Sequence, residues 1–113
     1  MIRRITTVNL NAISCNVKKF LLRDYVWNSD ADIIFLQEVA FENFSFIGSY
    51  NAIVNISEDG KGTAVLIRKT LEYSNCILNS NGRITLVCID NINFLNIYAH
   101  SGSKFKKERE RKR

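Results

Sequence analysis

Proline is absent from all 113 residues. No helix or strand is therefore interrupted, or confined to a sheet edge, by a missing backbone N–H. Cysteine is scarce: Cys15, Cys76 and Cys88 show no C-x-x-C or related spacing. That argues against a cysteine-ligated zinc site and against a disulfide framework, and favours a reducing, intracellular compartment. The lone histidine, His100, excludes a His-rich metal motif. No apolar run approaches the roughly 18 residues of a membrane span. The basic start, Met1 to Thr6, is followed by no apolar stretch, so no signal peptide is expected. Walker-type and G-x-G-x-x-G loops are also missing.

Charge of one sign is missing from most of the chain as well. The formal charge is +5, but seven of the sixteen basic residues and two of the eleven acidic ones lie between Lys104 and Arg113. The remainder holds nine of each and is neutral, so the body lacks the broad basic footprint of many DNA-binding modules. The tail, 104–113, reads as a solvated charged end, with a nucleic-acid or nuclear-import patch as the alternative. Residues 1–103 are expected to form one domain.

What is present is a hydrophobic fraction of 46% in a recognisable pattern. Arg3 to Asn9 reads as a strand rich in Ile, Thr and Val. Ser14 to Trp27 reads as a helix, with Val17, Phe20, Leu21 and Tyr25 spaced to line one core-facing side. Asp32 to Glu38 carries the run Ile33-Ile34-Phe35-Leu36, suited to a strand covered on both faces. Strand, helix and strand together suit a parallel crossover. Asn51–Ile56, Gly62–Arg68, Tyr73–Leu78, Arg83–Ile89 and Asn93–Ala99 read as further strands joined by short polar turns, an antiparallel meander. Asn81-Gly82 is a hairpin signal because both residues tolerate positive φ. Gly60-Lys61-Gly62-Thr63 leads into a strand, not a helix, and reads as a hairpin turn, not a phosphate loop. The expected class is mixed α/β. One helix cannot cover so many strands, so an uncovered apolar sheet surface, prone to oligomerisation or aggregation, is expected.

Two polar residues stand where α/β sheets build sites: Asn9 ends the first strand and Glu38 the second. If those strands are parallel neighbours, both side chains leave the same edge. A carboxylate and an amide oxygen are hard donors, suited to Mg²⁺ (or Mn²⁺), which keeps several waters and takes few protein ligands. Taken alone, a polar residue at a strand end is more often a turn former. Tyr98, which closes the last strand, has a hydroxyl that can reach a phosphate oxygen, or simply a solvated tip on a half-buried ring.

A resemblance sharpens these choices. Thr6-Thr7-Val8-Asn9-Leu10-Asn11-Ala12-Ile13 resembles the T-W-N-V-N-G-I strand that opens the endonuclease/exonuclease/phosphatase superfamily. Asp32-Ile33-Ile34-Phe35-Leu36-Gln37-Glu38 is similar to its D-I-[IL]-x-[LI]-Q-E signature, and Gly60 to Arg68 to its G-x-G-[TV]-A-[IV]-L-[IV] strand. Asn96-Ile97-Tyr98-Ala99-His100-Ser101-Gly102-Ser103 resembles the N-[IV]-Y-[AV]-P-S-G segment, and Lys107-Glu108-Arg109-Glu110 the R-x-E-R-E stretch that follows it; these last three together resemble the non-LTR retrotransposon branch. The resemblance implies a partial four-layer α/β sandwich and phosphodiester hydrolysis, with DNA as substrate of the intact domain. It implies Glu38 as principal metal ligand, Asn9 supporting the metal and its waters, Asn11 near metal and DNA, and Tyr98 on the scissile phosphate. Ala12, Val8 and His100 depart from the motifs, where Gly, Trp and Pro are usual. The family's later D-x-N and S-D-H motifs have no counterpart here, and His100, with no Asp beside it, does not replace that histidine. The expectation is an N-terminal portion of a Mg²⁺-dependent nuclease domain, inactive alone. The rivals are a degenerate, non-catalytic nucleic-acid binder using the tail, and a phosphatase or lipid-phosphate branch of the same superfamily.

Overall fold

The computed structural model describes residues 2–11, 16–78 and 81–98. The basic tail, His100, Ala12 and Cys15 lie outside these residues. The elements run β1 (Ile5–Asn9), α1 (Asn16–Ser29), β2 (Ile33–Val39), β3 (Tyr50–Ile56), β4 (Gly62–Arg68), β5 (Tyr73–Leu78), β6 (Ile84–Ile89) and β7 (Ile92–Ile97). They form a mixed α/β fold of two sheets, ordered β1-β2-β4-β3 and β5-β6-β7.

β1 and β2 are parallel, with Ile5 opposite Ile33 and Asn9 opposite Gln37. All other pairs are antiparallel. The meander is not one continuous sheet. β4 inserts between β2 and β3, and the chain then crosses to the second sheet through 69–72, where Leu71 is buried between the layers. Alternation explains the split. In β4 both faces are buried, Ala64 and Leu66 toward α1, Val65 and Ile67 toward the second sheet. β6 alternates instead, burying Thr85, Val87 and Ile89 and leaving Ile84, Leu86 and Cys88 half-buried. A strand with one buried face belongs to an outer layer. The tightest hairpin sits between β6 and β7, where Asp90 and Asn91 both have positive φ, as a two-residue primed turn requires.

Among the described residues there are three layers. α1, with Phe41, Phe44 and Phe46 of the loop between β2 and β3, covers one face of the four-stranded sheet. The three-stranded sheet covers the other, with Phe35 against Phe94 at 5.9 Å between ring centroids. The far face of the three-stranded sheet is open: Ile77, Leu86 and Leu95 are paired in one row across it, and Ile77 and Leu95 are exposed. No described helix is long and apolar enough to cross a membrane.

α1 is rotated from the expected orientation. Leu22 and Val26 are buried, whereas Val17, Phe20, Leu21 and Tyr25 face outward. The exit of the helix fixes this rotation. Ser29 Oγ donates to the Val26 carbonyl at 2.8 Å and accepts from the Ala31 N–H at 3.3 Å. Asp30 takes the left-handed conformation that ends many helices. Only Ala31 and Asp32 then remain before β2. The half-buried stems of Lys19 and Arg23 fill the remaining contact, with the Lys19 ammonium 4.5 Å from the Phe41 ring centroid.

Candidate active site at the β1–β2 rim

Parallel pairing sends Asn9 and Glu38 out of the same end of the sheet, and a bulge decides where Glu38 points. Gln37 pairs with Thr63 of β4 and Val39 with Gly62, so Glu38 is the extra residue. Its φ is +52°, a conformation that costs a non-glycine residue about 1–2 kcal/mol. Side chains along a strand alternate between faces. Leu36 lies in the α1-side core and Gln37 faces the second sheet; unbroken alternation would drive Glu38 into the α1-side core. The bulge shifts the phase by one. Val39 enters that core with no exposed surface, and the carboxylate stays at the rim. Opposite the bulge, Gly62 is the only residue that fits: a Cβ there would strike the Asn55 carbonyl oxygen and sit 2.7 Å from Ile56 Cα.

Asn9 is held from the other side. Its Oδ1 accepts the Asn11 N–H at 2.8 Å, an Asx turn aided by positive φ at Asn11. That contact fixes which end of the amide is oxygen. Nδ2 therefore faces Glu38 and donates to Oε1 at 3.3 Å. Leu10, between the two asparagines, is buried and anchors the turn in the core. Asn11 is exposed and lines, with Asn9, Lys18, Leu21 and Tyr25, a groove of about 390 Å³ between β1 and α1.

Tyr98 reaches the same carboxylate from the second sheet. Its ring is partly desolvated and its hydroxyl hydrogen-bonds the Glu38 side chain; burial first, then the Glu38 charge, push the phenol up from its usual range. Its N–H donates to the Arg83 carbonyl at 2.8 Å. Two residues earlier, Asn96 fixes β7 against the first sheet. Its Nδ2 donates to the carbonyls of Leu36 at 3.3 Å and Ala64 at 3.1 Å, and its Oδ1 accepts from Gln37 Nε2 at 3.0 Å. Thr7 Oγ1 donates to Gln37 Oε1 at 3.1 Å, and buried Thr63 and Thr85 share a hydroxyl contact of 3.2 Å. This polar seam joins the sheets beside the rim. Sequence reasoning missed Gln37 and Asn96 as its parts. The available signal was Asn96, a polar residue at the inward period of an apolar strand, in phase with Tyr98.

The structure thus brings Asn9, Glu38 and Tyr98 together, with Asn11 adjoining. Among the described residues no three His, Cys, Asp or Glu side chains cluster as a metal centre. The Glu38 carboxylate, with the Tyr98 hydroxyl beside it, does fit a hard divalent ion that keeps most of its waters and takes its remaining ligands from substrate phosphate, whereas Asn9 turns its Nδ2 and not its oxygen toward the carboxylate. These groups do not fit zinc, which prefers four N/S-rich protein ligands. At the opposite end of the sheet, Arg68 bridges Asp30 at 3.0 Å and Asp32 at 3.2 Å. Asp32 also accepts the N–H groups of Arg3 and Arg4. That knot ties β1, β2 and β4 together and leaves no free carboxylate pair.

No family model matches the chain, and no curated protein does. Solved structures do match. A humanized D. rerio TDP2 carrying 14 mutations is 19% identical with a TM-score of 0.69, over 96% of this chain and 51% of that one. The 3′-5′ exonuclease NExo from Neisseria meningitidis is 18% identical, TM-score 0.66, over 96% and 48%. The endonuclease domain of TRAS1, a telomere-specific non-LTR retrotransposon, is 14% identical, TM-score 0.63, over 99% and 54%. The chain spans about half the length of the structures it matches. All three have folds of the endonuclease/exonuclease/phosphatase type, and the present architecture is a part of that fold.

Proposed function

We propose that this chain is the N-terminal portion of a Mg²⁺- or Mn²⁺-dependent phosphodiesterase domain whose intact form cleaves DNA, in the manner of the retrotransposon endonucleases. The observation that carries this reading is the convergence of Asn9, Glu38 and Tyr98 on one rim of a fold shared with nucleases. Glu38 would hold the ion, with Asn9 supporting the metal and its waters, and the ion would supply charge stabilisation to a phosphodiester. Within the chain itself, Asn9 Nδ2 orients the carboxylate. The Tyr98 hydroxyl, kept protonated, is placed to donate to a phosphate oxygen. Asn11 borders the groove through which a strand of DNA would approach. Asp59, whose charge also acts on Tyr98, is engaged by the Ser57 hydroxyl and the Lys61 N–H, and the 113-residue chain alone is expected to have little or no activity.

The test has two parts. Duplex oligonucleotide titrated in with Mg²⁺ should shift the amide resonances of Asn9, Asn11, Glu38 and Tyr98, and Glu38→Gln should weaken the effect. Supercoiled plasmid should stay unnicked under the same conditions. Shifts confined to other surfaces would remove the active-site reading. Robust nicking abolished by Glu38→Gln would remove the claim of inactivity.

The concentration of charge in 104–113 favours a second reading, a non-catalytic nucleic-acid binder. Phosphate contacts by Lys and Arg dominate non-specific affinity. Deletion of 104–113 would then abolish all binding, whereas rim-dependent binding would survive it.

A further inference from the structure

We infer that Gln37 is a positioning residue: bonded to β1 and β7 at once, it sets where Glu38 leaves the bulge and where Tyr98 stands beside it. Each rim side chain has a seam residue just before it in the chain. Thr7 precedes Asn9, Gln37 precedes Glu38, and Asn96 precedes Tyr98. Gln37 is paired in register with Asn9 of β1 and with Thr63 of β4, and Thr63 with Asn55 of β3. Together they make one polar row across the whole first sheet. Thr85 and Asn96, themselves register partners, meet it from the second sheet. The row is bonded across the layers by Gln37 and Asn96, by Thr63 and Thr85, and by Asn55 Nδ2, which donates to the Ile84 carbonyl at 3.1 Å. Away from the rim the layers meet through Val65, Ile67, Leu71, Val87 and Ile89. Apolar contact is non-directional, whereas hydrogen bonds weaken steeply once their angle is lost. The polar row therefore sets the offset between the sheets at the rim.

Within that row Gln37 has a part that no other member shares. The carbonyls of Leu36 and Ala64 take the Asn96 amide hydrogens. Asn96 must then present Oδ1 to Gln37, Gln37 must donate with Nε2, and its Oε1 is left to accept from Thr7. Neither amide can turn over without losing a bond. Gln37 is thus pinned on the side of the second sheet by β1 and β7, the strands that bring Asn9 and Tyr98 to Glu38. Val39 is buried on the opposite, α1 side. In a regular strand residues 37 and 39 would share a face. With both fixed on opposite faces, the extra residue falls at Glu38, and its side chain is held at the rim. The Thr63–Thr85 and Asn55–Ile84 links lie on strands that carry no rim residue. This positioning stands on the geometry alone. Its consequence, a Tyr98 hydroxyl kept where a phosphate beside Glu38 would meet it, rests on the function proposed above.

Gln37→Met keeps most of the side-chain volume and removes both hydrogen bonds. Asn96 retains its two backbone carbonyls in this variant, so β7 stays docked. Nuclear Overhauser contacts in metal-free protein read the result. The contacts between the Tyr98 ring and the Glu38 side chain should be lost. Those between Phe35 and Phe94, which pack 5.9 Å apart between the same strands, should remain. Loss of both sets would mean that Gln37 only supports the packing of the sheets, and retention of both would mean that it positions nothing; either result overturns the proposal. Thr7→Val, at an exposed position, removes the donor to Gln37 Oε1 and covers a Gln37→Met chain that does not fold. It should weaken the same Tyr98–Glu38 contacts, and unchanged contacts would overturn the proposal. Mn²⁺ then reads the function. In the parent it should broaden Glu38 and Tyr98 together, and in Gln37→Met it should broaden Glu38 but spare Tyr98. If the metal-free contacts change as described while Mn²⁺ leaves the parent rim sharp, the positioning stands and the metal reading fails.

Discussion

Asn9 donates its amide N–H to Glu38 Oε1 at 3.3 Å while its own oxygen is held by the Asn11 N–H at 2.8 Å. A residue expected to share a metal ion with Glu38 therefore also acts as the group that aims it. The carboxylate is gripped from two directions, by Asn9 from β1 and by Tyr98 from the end of β7.

Tyr98 should report the Glu38 charge. Its phenol is raised by burial and by Glu38, whereas Tyr50 is raised chiefly by burial near Arg68. A raised phenol favours folding below its unfolded value near pH 10, and that contribution is lost as pH rises through the folded value. Alkaline titration followed by tyrosinate absorbance should show Glu38→Gln lowering the Tyr98 midpoint and leaving that of Tyr50 in place. An unchanged Tyr98 midpoint would mean that the two groups are not in contact.

Asn96→Ala should cost about 2–3 kcal/mol, because it leaves the carbonyls of Leu36 and Ala64 and the amide of Gln37 without their partner in a buried seam. Urea unfolding measures this directly. The same variant should loosen β7 and reduce the coupling of Tyr98 to Glu38 in the titration above. A loss below about 0.5 kcal/mol, the range of ordinary surface changes, would contradict the seam's role.

Gly62→Ala should destabilise by about 1–3 kcal/mol or more, since the new methyl meets backbone atoms that cannot rotate away. Gly60→Ala offers a contrast. Its φ of +86° carries strain, but there is open space around it. Comparing the two by thermal melting separates steric closure opposite the bulge from turn strain. Equal losses would show that the bulge places no special demand on Gly62.

Asp32 is held below the usual carboxylate range, first by the Arg3 N–H, with the Arg4 N–H and the Arg68 guanidinium acting in the same direction against partial burial. A depressed carboxyl contributes stability above its unfolded value, and that contribution is lost as pH falls through the folded value. Asp32→Asn should therefore be less stable than the parent at neutral pH, with the difference shrinking below about pH 4. Chemical unfolding at a series of pH values gives the curve. A gap that stays constant with pH would assign the loss to packing instead of charge.

The strands were legible in the sequence because their residues announce both period and turn. The parallel start was legible too, because a helix must separate parallel neighbours. Three features were not. The stripe Val17, Phe20, Leu21 and Tyr25 has the spacing of a core face, yet the helix orientation is set by Ser29 and Asp30 at its end, which periodicity does not weigh. The crossing from one sheet to the other lies in 69–72, a link as short as a hairpin turn. The bulge at Glu38 has no local marker, since Glu is an unlikely residue for positive φ; only Gly62, distant in sequence, betrays it. At the site, Asn9 and Glu38 could be paired from strand ends alone, whereas Asn96 required knowledge of which face of β7 meets the first sheet.

Paramagnetic Mn²⁺ titrated into ¹⁵N-labelled protein tests the rim most directly. Selective broadening of Asn9, Asn11, Glu38 and Tyr98, removed by Glu38→Gln, is the predicted result. Broadening that centres on Asp30 and Asp32, or that persists unchanged in Glu38→Gln, would contradict the account.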